Sequence, residues 1–206
     1  EGFDMTHHRS LLALSVAAAL LAPMAASQAA EGPWQVRVRA VNLEPADKDT
    51  IAITDVSVSN KLIPEVDISY HFTPNLAAEL ILTVPQKHDV SSSAHGGVIG
   101  SLKHLPPTLL VQYHFCPDST LRPYVGAGLN YTNFSSVKLP TGFDVERNSV
   151  GVALQAGLDV AIAKDTYLNF DLKKVQIRTD LSANGAKLGT IKVDPVLFGV
   201  GIGWRF

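Results

Sequence analysis

Cysteine is almost missing: Cys116 is the only one in 206 residues. A single thiol excludes an internal disulfide and the paired-cysteine zinc sites of small metal-bound domains. Charge is sparse as well. Asp, Glu, Lys and Arg together make up 17% of the chain and the formal net charge is -2, so no basic face offers itself to nucleic acid. Long apolar runs are also lacking. The best one, LLALSVAAALLA from Leu11 to Ala22, is shorter than the roughly 20 residues a membrane-spanning helix needs, and Pro23 breaks it. From Gly32 onward no stretch carries the three-and-four spacing of an amphipathic helix.

The apolar run near the start has a different explanation. A short, weakly basic segment, Met5 to Arg9, precedes it, and SQAA (Ser27 to Ala30) follows with small residues at cleavage spacing. The arrangement predicts a secretory signal peptide, cut after Ala29 or Ala30. Residues 1–29, including the four that precede Met5, are therefore set apart from a mature region of residues 30–206.

That region alternates. Apolar residues recur at every second position over eight segments: Trp34–Val41, Pro64–Phe72, Leu76–Pro85, Thr108–Phe115, Pro123–Phe134, Ser149–Ala163, Tyr167–Ile177 and a last one from near Ile191 to Phe206. Period two argues for strands. The connections alternate in length, about twenty residues and then three at the start, and AKDT and similar tight turns later. Long and short connections in turn are the signature of an antiparallel meander. An even number of strands of about 9–11 residues, with short turns at one end, matches outer-membrane barrels. The predicted fold is all-β: an eight-stranded antiparallel up-and-down transmembrane β-barrel with short periplasmic turns and long extracellular loops.

The two faces of the strands support this reading over a soluble lipocalin-like barrel. A soluble barrel would turn its apolar face inward and cover the other with Lys and Glu. Here the second face carries Gly126, Gly128, Gly151, Gly157, Gly199, Gly201 and Gly203 with scattered Gln, Asn and His. Glycine weakens an exposed strand but makes room inside a narrow barrel. Trp34, Tyr70, Phe72, Tyr113, Phe115, Tyr124, Trp204 and Phe206 sit near strand ends, as an interfacial belt at the periplasmic side would.

Four stretches resemble the outer membrane protein W family of Gram-negative bacteria, which includes alkane-uptake relatives: LAAELILTVPQKH (Leu76 to His88), KHLPPTLLVQYHF (Lys103 to Phe115), RPYVGAGLNYTNF (Arg122 to Phe134) and VDPVLFGVGIGWRF at the end. The resemblance covers nearly all of residues 30–206. It implies an eight-stranded barrel in the outer membrane that lets small hydrophobic molecules cross. The final Phe206 resembles the terminal aromatic signal by which the outer-membrane barrel assembly machinery recognises its clients. Lipids, small hydrophobic solutes and that machinery are the expected partners.

Strand phase then predicts the lumen. Near the periplasmic end it places Arg37, Arg39, Glu79, Gln112, His114, Gln155, Asp159, Asp171, Lys173 and Arg205 inside. Near the extracellular end it places Val41, Ile81, Leu110, Phe134 and Leu197, with Val175 and Ile177. Opposite charges in the lower layer should pair and fill it, because unpaired charge there is expensive. A straight water-filled pore is thus not expected. An apolar upper lumen could accept a hydrophobic molecule from outside. Pro85 ends the third segment and Pro106-Pro107 begin the fourth, at the same extracellular end of neighbouring strands. Proline cannot donate to a ladder, so these three residues mark a candidate lateral opening into the membrane.

Other functions are weaker readings. His88 and His95 share a loop with Asp89, without the spacing of a metal site. No nucleophile, base and orienting group converge, so an enzyme is not expected and no cofactor is implied. The competing reading is a non-conducting structural or receptor barrel, whose loops meet phage, toxins or host surfaces.

Overall fold

The structure is a computed structural model that describes residues 32–44, 56–57, 61–92, 97–139, 141–183 and 185–206. The predicted signal peptide lies outside these residues. Among the described residues fourteen strands run in chain order: β1 (Trp34–Glu44), β2 (Val56–Ser57), β3 (Lys61–His71), β4 (Leu76–Thr83), β5 (Gln86–Ser92), β6 (Gly97–Leu105), β7 (Thr108–His114), β8 (Leu121–Lys138), β9 (Phe143–Val145), β10 (Asn148–Ala163), β11 (Thr166–Val175), β12 (Arg178–Ala183), β13 (Ala186–Lys192) and β14 (Val196–Arg205).

Eight of them form the wall, in the cyclic order β1-β3-β4-β7-β8-β10-β11-β14, every pair antiparallel. The ring closes where β14 meets β1, with Val36 opposite Trp204 and Glu44 opposite Val196. Phe206 and Trp34 exchange backbone hydrogen bonds at that seam, 2.9 and 3.1 Å long. Closure gives every wall strand a paired neighbour on both sides, which is what hydrocarbon demands of a sheet.

Burial follows the alternation in the sequence. In β7, Thr108, Leu110, Gln112 and His114 are buried while Leu109 and Val111 are 57% and 56% exposed. Leu129 (60%) and Val150 (70%) face outward on β8 and β10. The large apolar residues are therefore outside, as a lipid-facing band requires. At the periplasmic end Trp34, Tyr70 and Phe72 stack edge to face, as do Tyr113 and Phe115, with centroids 4.9–5.3 Å apart.

The extracellular connections contain strands that the sequence pattern did not announce. β5 and β6 form a hairpin that continues the wall beside β8, and β2 pairs with β5. β9, β12 and β13 form a separate three-stranded sheet. The closing strand accordingly begins at Val196 and not near Ile191, which belongs to β13.

Candidate functional site

The lower lumen is packed with charge. Arg37 on β1 donates to Asp159 through Nη2 and Nε, at 2.8 and 3.3 Å, and its Nη1 lies 3.2 Å from Asp67 and 3.1 Å from Glu79. Arg39, two residues on, reaches Glu65 at 2.9 Å, Asp67 and Glu79 at 3.0 Å each, and Asp171 at 3.5 Å. Lys173 on β11 closes the set, 2.5 Å from Glu65 and 2.7 Å from Asp171. Polar side chains fill the gaps: Gln155 donates to Glu79 and Asp171, Asn169 donates to Asp159, and the Tyr124 hydroxyl donates to Asp171 at 2.9 Å. All of these residues are buried. Six wall strands are thereby tied across the lumen.

Glycines make that packing possible. Gly157 sits opposite Tyr124 in the β10–β8 register, and a Cβ there would fall 2.2 Å from the phenol ring. On β14, a Cβ at Gly203 would meet the Arg37 side chain at 2.9 Å. The glycine face of the closing strand is the bed on which an arginine stem lies.

Above the charged layer the lumen turns apolar. Val41, Leu43, Ile63, Ile81, Leu110, Phe134, Ala153, Val175, Ile177 and Leu197 form one buried cluster, with Val137 and Val193 against it. A small cavity opens beside them, bounded by Ile63, Ile81, Val175, Ile177 and Leu197 over Glu65 and Lys173. Thr83, Pro106, Thr108 and Asn130 bound it on one side.

The wall beside that cavity is interrupted. Pairing of β4 with β7 ends at Ile81 opposite Thr108, whereas β4 continues to Thr83 and β3 pairs with it to that point. Beyond Thr108 come Pro107 and Pro106. Asn130 on β8 donates to the Pro106 carbonyl at 3.2 Å and to the Pro107 carbonyl at 3.3 Å, and the Tyr131 N–H donates to Pro107 at 3.0 Å. The two prolines are thus fastened to β8. On the β4 side the half-buried Thr83 hydroxyl has no hydrogen-bond partner among the described residues.

This architecture has known relatives. The family model described as "OmpW family" matches residues 30–206. The chain belongs to the OmpW family. It is 32% identical to Outer membrane protein W of Vibrio cholerae over 96% of this chain and 99% of that one. It is 40% identical to a Sinorhizobium fredii protein described as the uncharacterized outer-membrane protein y4mB, over 96% and 93%. The solid-state NMR structure of outer membrane protein AlkL in DMPC lipid bilayers superposes with a TM-score of 0.67, at 22% identity, covering 90% of this chain and 95% of that one. The protein is an outer-membrane barrel.

Within this OmpW-family barrel the structure brings together Arg37, Arg39, Glu79, Asp159, Asp171 and Lys173 in one layer, and Val41, Ile81, Leu110, Phe134 and Leu197 in another. Arg205 lies elsewhere: half-buried at the periplasmic mouth, its Nε donating to the Gly32 carbonyl at 3.0 Å. Pro106 and Pro107 flank the interruption, while Pro85 stands in the break between β4 and β5. His95 lies outside the described residues, and of His88 only the place in β5 is described. Among the described residues no group of three or more His, Cys, Asp or Glu side chains is arranged to hold a metal ion.

Two corrections concern the lower layer. Tyr124 is not part of the aromatic belt: it is 1% exposed and lumenal, because Gly157 opposite leaves room for its ring. Glu65 and Asp67 are central to the ion pairs yet absent from the predicted lumen set. The signal was present, since both alternate with the lipid-facing Val66 and Ile68.

Proposed function

We propose that the barrel takes small hydrophobic molecules from outside into its apolar upper lumen and releases them sideways into the membrane. The lower charged layer acts as a closed floor. Val41, Ile81, Leu110, Phe134 and Leu197 line the route, and the exit lies between β4 and the Pro106-Pro107 segment. The observation that carries this reading is the coincidence of the apolar cavity with the interruption of the wall beside it. A hydrophobic solute meets charge below and unpaired wall at its side, so the lateral path has the smaller desolvation cost.

The prolines keep the join between β4 and its neighbour weak in this reading. Both are held from β8, by the Asn130 amide and the Tyr131 N–H, and neither has a backbone N–H to offer β4. Phe206, at the seam with Trp34, is the residue we assign to recognition by the barrel assembly machinery.

Uptake of hydrophobic and small polar solutes, in cells or proteoliposomes, tests the route. Leu110→Asp and Phe134→Asp should block apolar solutes selectively. Pro106→Ala/Pro107→Ala, which gives both positions a backbone N–H, should slow hydrophobic uptake. Unchanged uptake in both Asp variants would favour a non-conducting structural or receptor barrel.

A further inference from the structure

The outward face changes character at one level on neighbouring strands. Along β10 it runs Leu154, Val152, Val150 and then Asn148. Along β8 it runs Leu129, Tyr131, Asn133 and Ser135. On the β7–β6 side Leu109 is followed, beyond the prolines, by Leu105 and then Lys103, both exposed. The register ties these levels together: Asn148 opposes Asn133, Leu105 opposes Asn133 from the other side, Lys103 opposes Ser135, and Ser101 opposes Lys138. The Tyr131 hydroxyl and the Asn133 amide both donate to the Asn148 side-chain oxygen, at 2.7 and 3.0 Å.

Lysines gather just above that line. Lys103 and Lys138 are exposed, and neither has an ion-pair partner among the described residues. Lys87 stands opposite Lys103 in the β5–β6 register, and Asp89 stands opposite Ser101. Three basic positions and one acidic position thus share a small stretch of wall that begins where the lipid-facing leucines end. Amines at this height meet the headgroups of the outer leaflet, where an anionic group attracts them strongly.

We propose that this face binds a phosphate-bearing glycolipid of the outer leaflet. Lys103 and Lys138 hold the phosphate, and the Tyr131-Asn133-Asn148 cluster meets the sugar. Leu105 and Leu129 lie against the acyl chains. The site is independent of any solute passing through the lumen.

The test uses the barrel in phosphocholine nanodiscs, alone or doped with lipopolysaccharide or with enzymatically dephosphorylated lipopolysaccharide. The readout is the unfolding midpoint followed by heat-modifiable gel mobility. Intact lipopolysaccharide should raise the midpoint by on the order of 2–4 °C. The dephosphorylated form and free inorganic phosphate should leave it unchanged. The Lys103→Gln/Lys138→Gln variant should keep the midpoint of the parent in plain phosphocholine and lose the increment, and Lys103→Arg/Lys138→Arg should keep both. An equal increment in the Gln variant, with the dephosphorylated lipid or with free phosphate overturns the proposal.

Discussion

Tyr124 and Gly157 are register partners on adjacent strands, and the ring of one occupies the place where the other has no side chain. The contact decides how the lower lumen packs. It brings the Tyr124 hydroxyl to Asp171 and sets its ring 5.1 Å from the Arg37 guanidinium. Gly157→Ala would put a methyl 2.2 Å from the ring, a clash that only displacement of Tyr124 relieves. Overpacking of this kind costs about 1–3 kcal/mol or more. The variant is expected to unfold at lower denaturant in lipid vesicles, and Gly157→Ala/Tyr124→Phe should recover little, since the ring and not the hydroxyl makes the clash.

The charged layer is unbalanced. Glu65, Asp67, Glu79, Asp159 and Asp171 share three cations, Arg37, Arg39 and Lys173. Asp67 and Glu79 compete for the same arginine nitrogens. Removing a cation should therefore cost far more than removing one of these acids. Arg39→Met would leave five carboxylates to share Arg37 and Lys173 alone and is expected to cost about 3–5 kcal/mol, the range for breaking a buried pair. Asp67→Asn relieves repulsion from Glu79 while keeping the shape, and its loss should be well below that of Arg39→Met. Denaturant unfolding of the two variants side by side checks the asymmetry; equal losses would mean the layer is not short of positive charge.

The wall and its polarity were legible because lipid outside and a crowded lumen inside impose strict alternation on every wall strand. Val36, Val38 and Ala40 against Arg37 and Arg39 read directly as β1. Which charges meet was not legible. Arg37 touches Asp159 across 122 residues, and that contact depends on the stagger of eight strands, which no single segment encodes. The extracellular strands were hidden for another reason. RTDLSA in β12 and QKHDVSS in β5 lack a sustained apolar face, so their pairing rests on the backbone and leaves no period in the side chains. Tyr124 shows the opposite lesson: its place next to the outward Val125 fixed its direction, and only its aromatic character suggested the belt.

Asp180 gives the extracellular sheet a pH dependence. Its carboxylate pairs with Lys187 and accepts a hydrogen bond from the Thr190 hydroxyl at 2.6 Å, both on β13. Bonding to Lys187 first, and then to Thr190, holds the carboxyl below its ordinary range. A depressed carboxyl stabilises the folded hairpin above its unfolded value, near 3.9, and that contribution disappears as pH falls through the lower folded value. Protection of the β12–β13 amides against hydrogen exchange should be flat from neutral pH to about 5 and fall below about 4, after correction for intrinsic rates. In Asp180→Asn the fall should vanish and neutral-pH protection should be lower throughout.

Asn130 holds the diproline segment to β8. Its amide donates to both proline carbonyls and to the Thr108 hydroxyl at 2.8 Å, while its own oxygen accepts from Thr132 at 2.7 Å. Asn130→Leu would remove these bonds but leave the Tyr131 N–H on Pro107 and the Thr108 hydroxyl on Pro106. With those two contacts remaining, the stability loss should be about 1–3 kcal/mol, the cost of leaving buried polar groups partly unpaired. The local effect should be larger than the global one. With only the Tyr131 N–H left to hold it to β8 at Pro107, the segment gains room to move toward or away from β4, so amide exchange at Leu105 and Thr108 should speed up while Val38 and Leu168, on the far wall, remain protected. Hydrophobic uptake should change together with that exchange. If exchange at Leu105 and Thr108 rises with uptake unaltered, motion of the diproline segment does not limit the passage of solute.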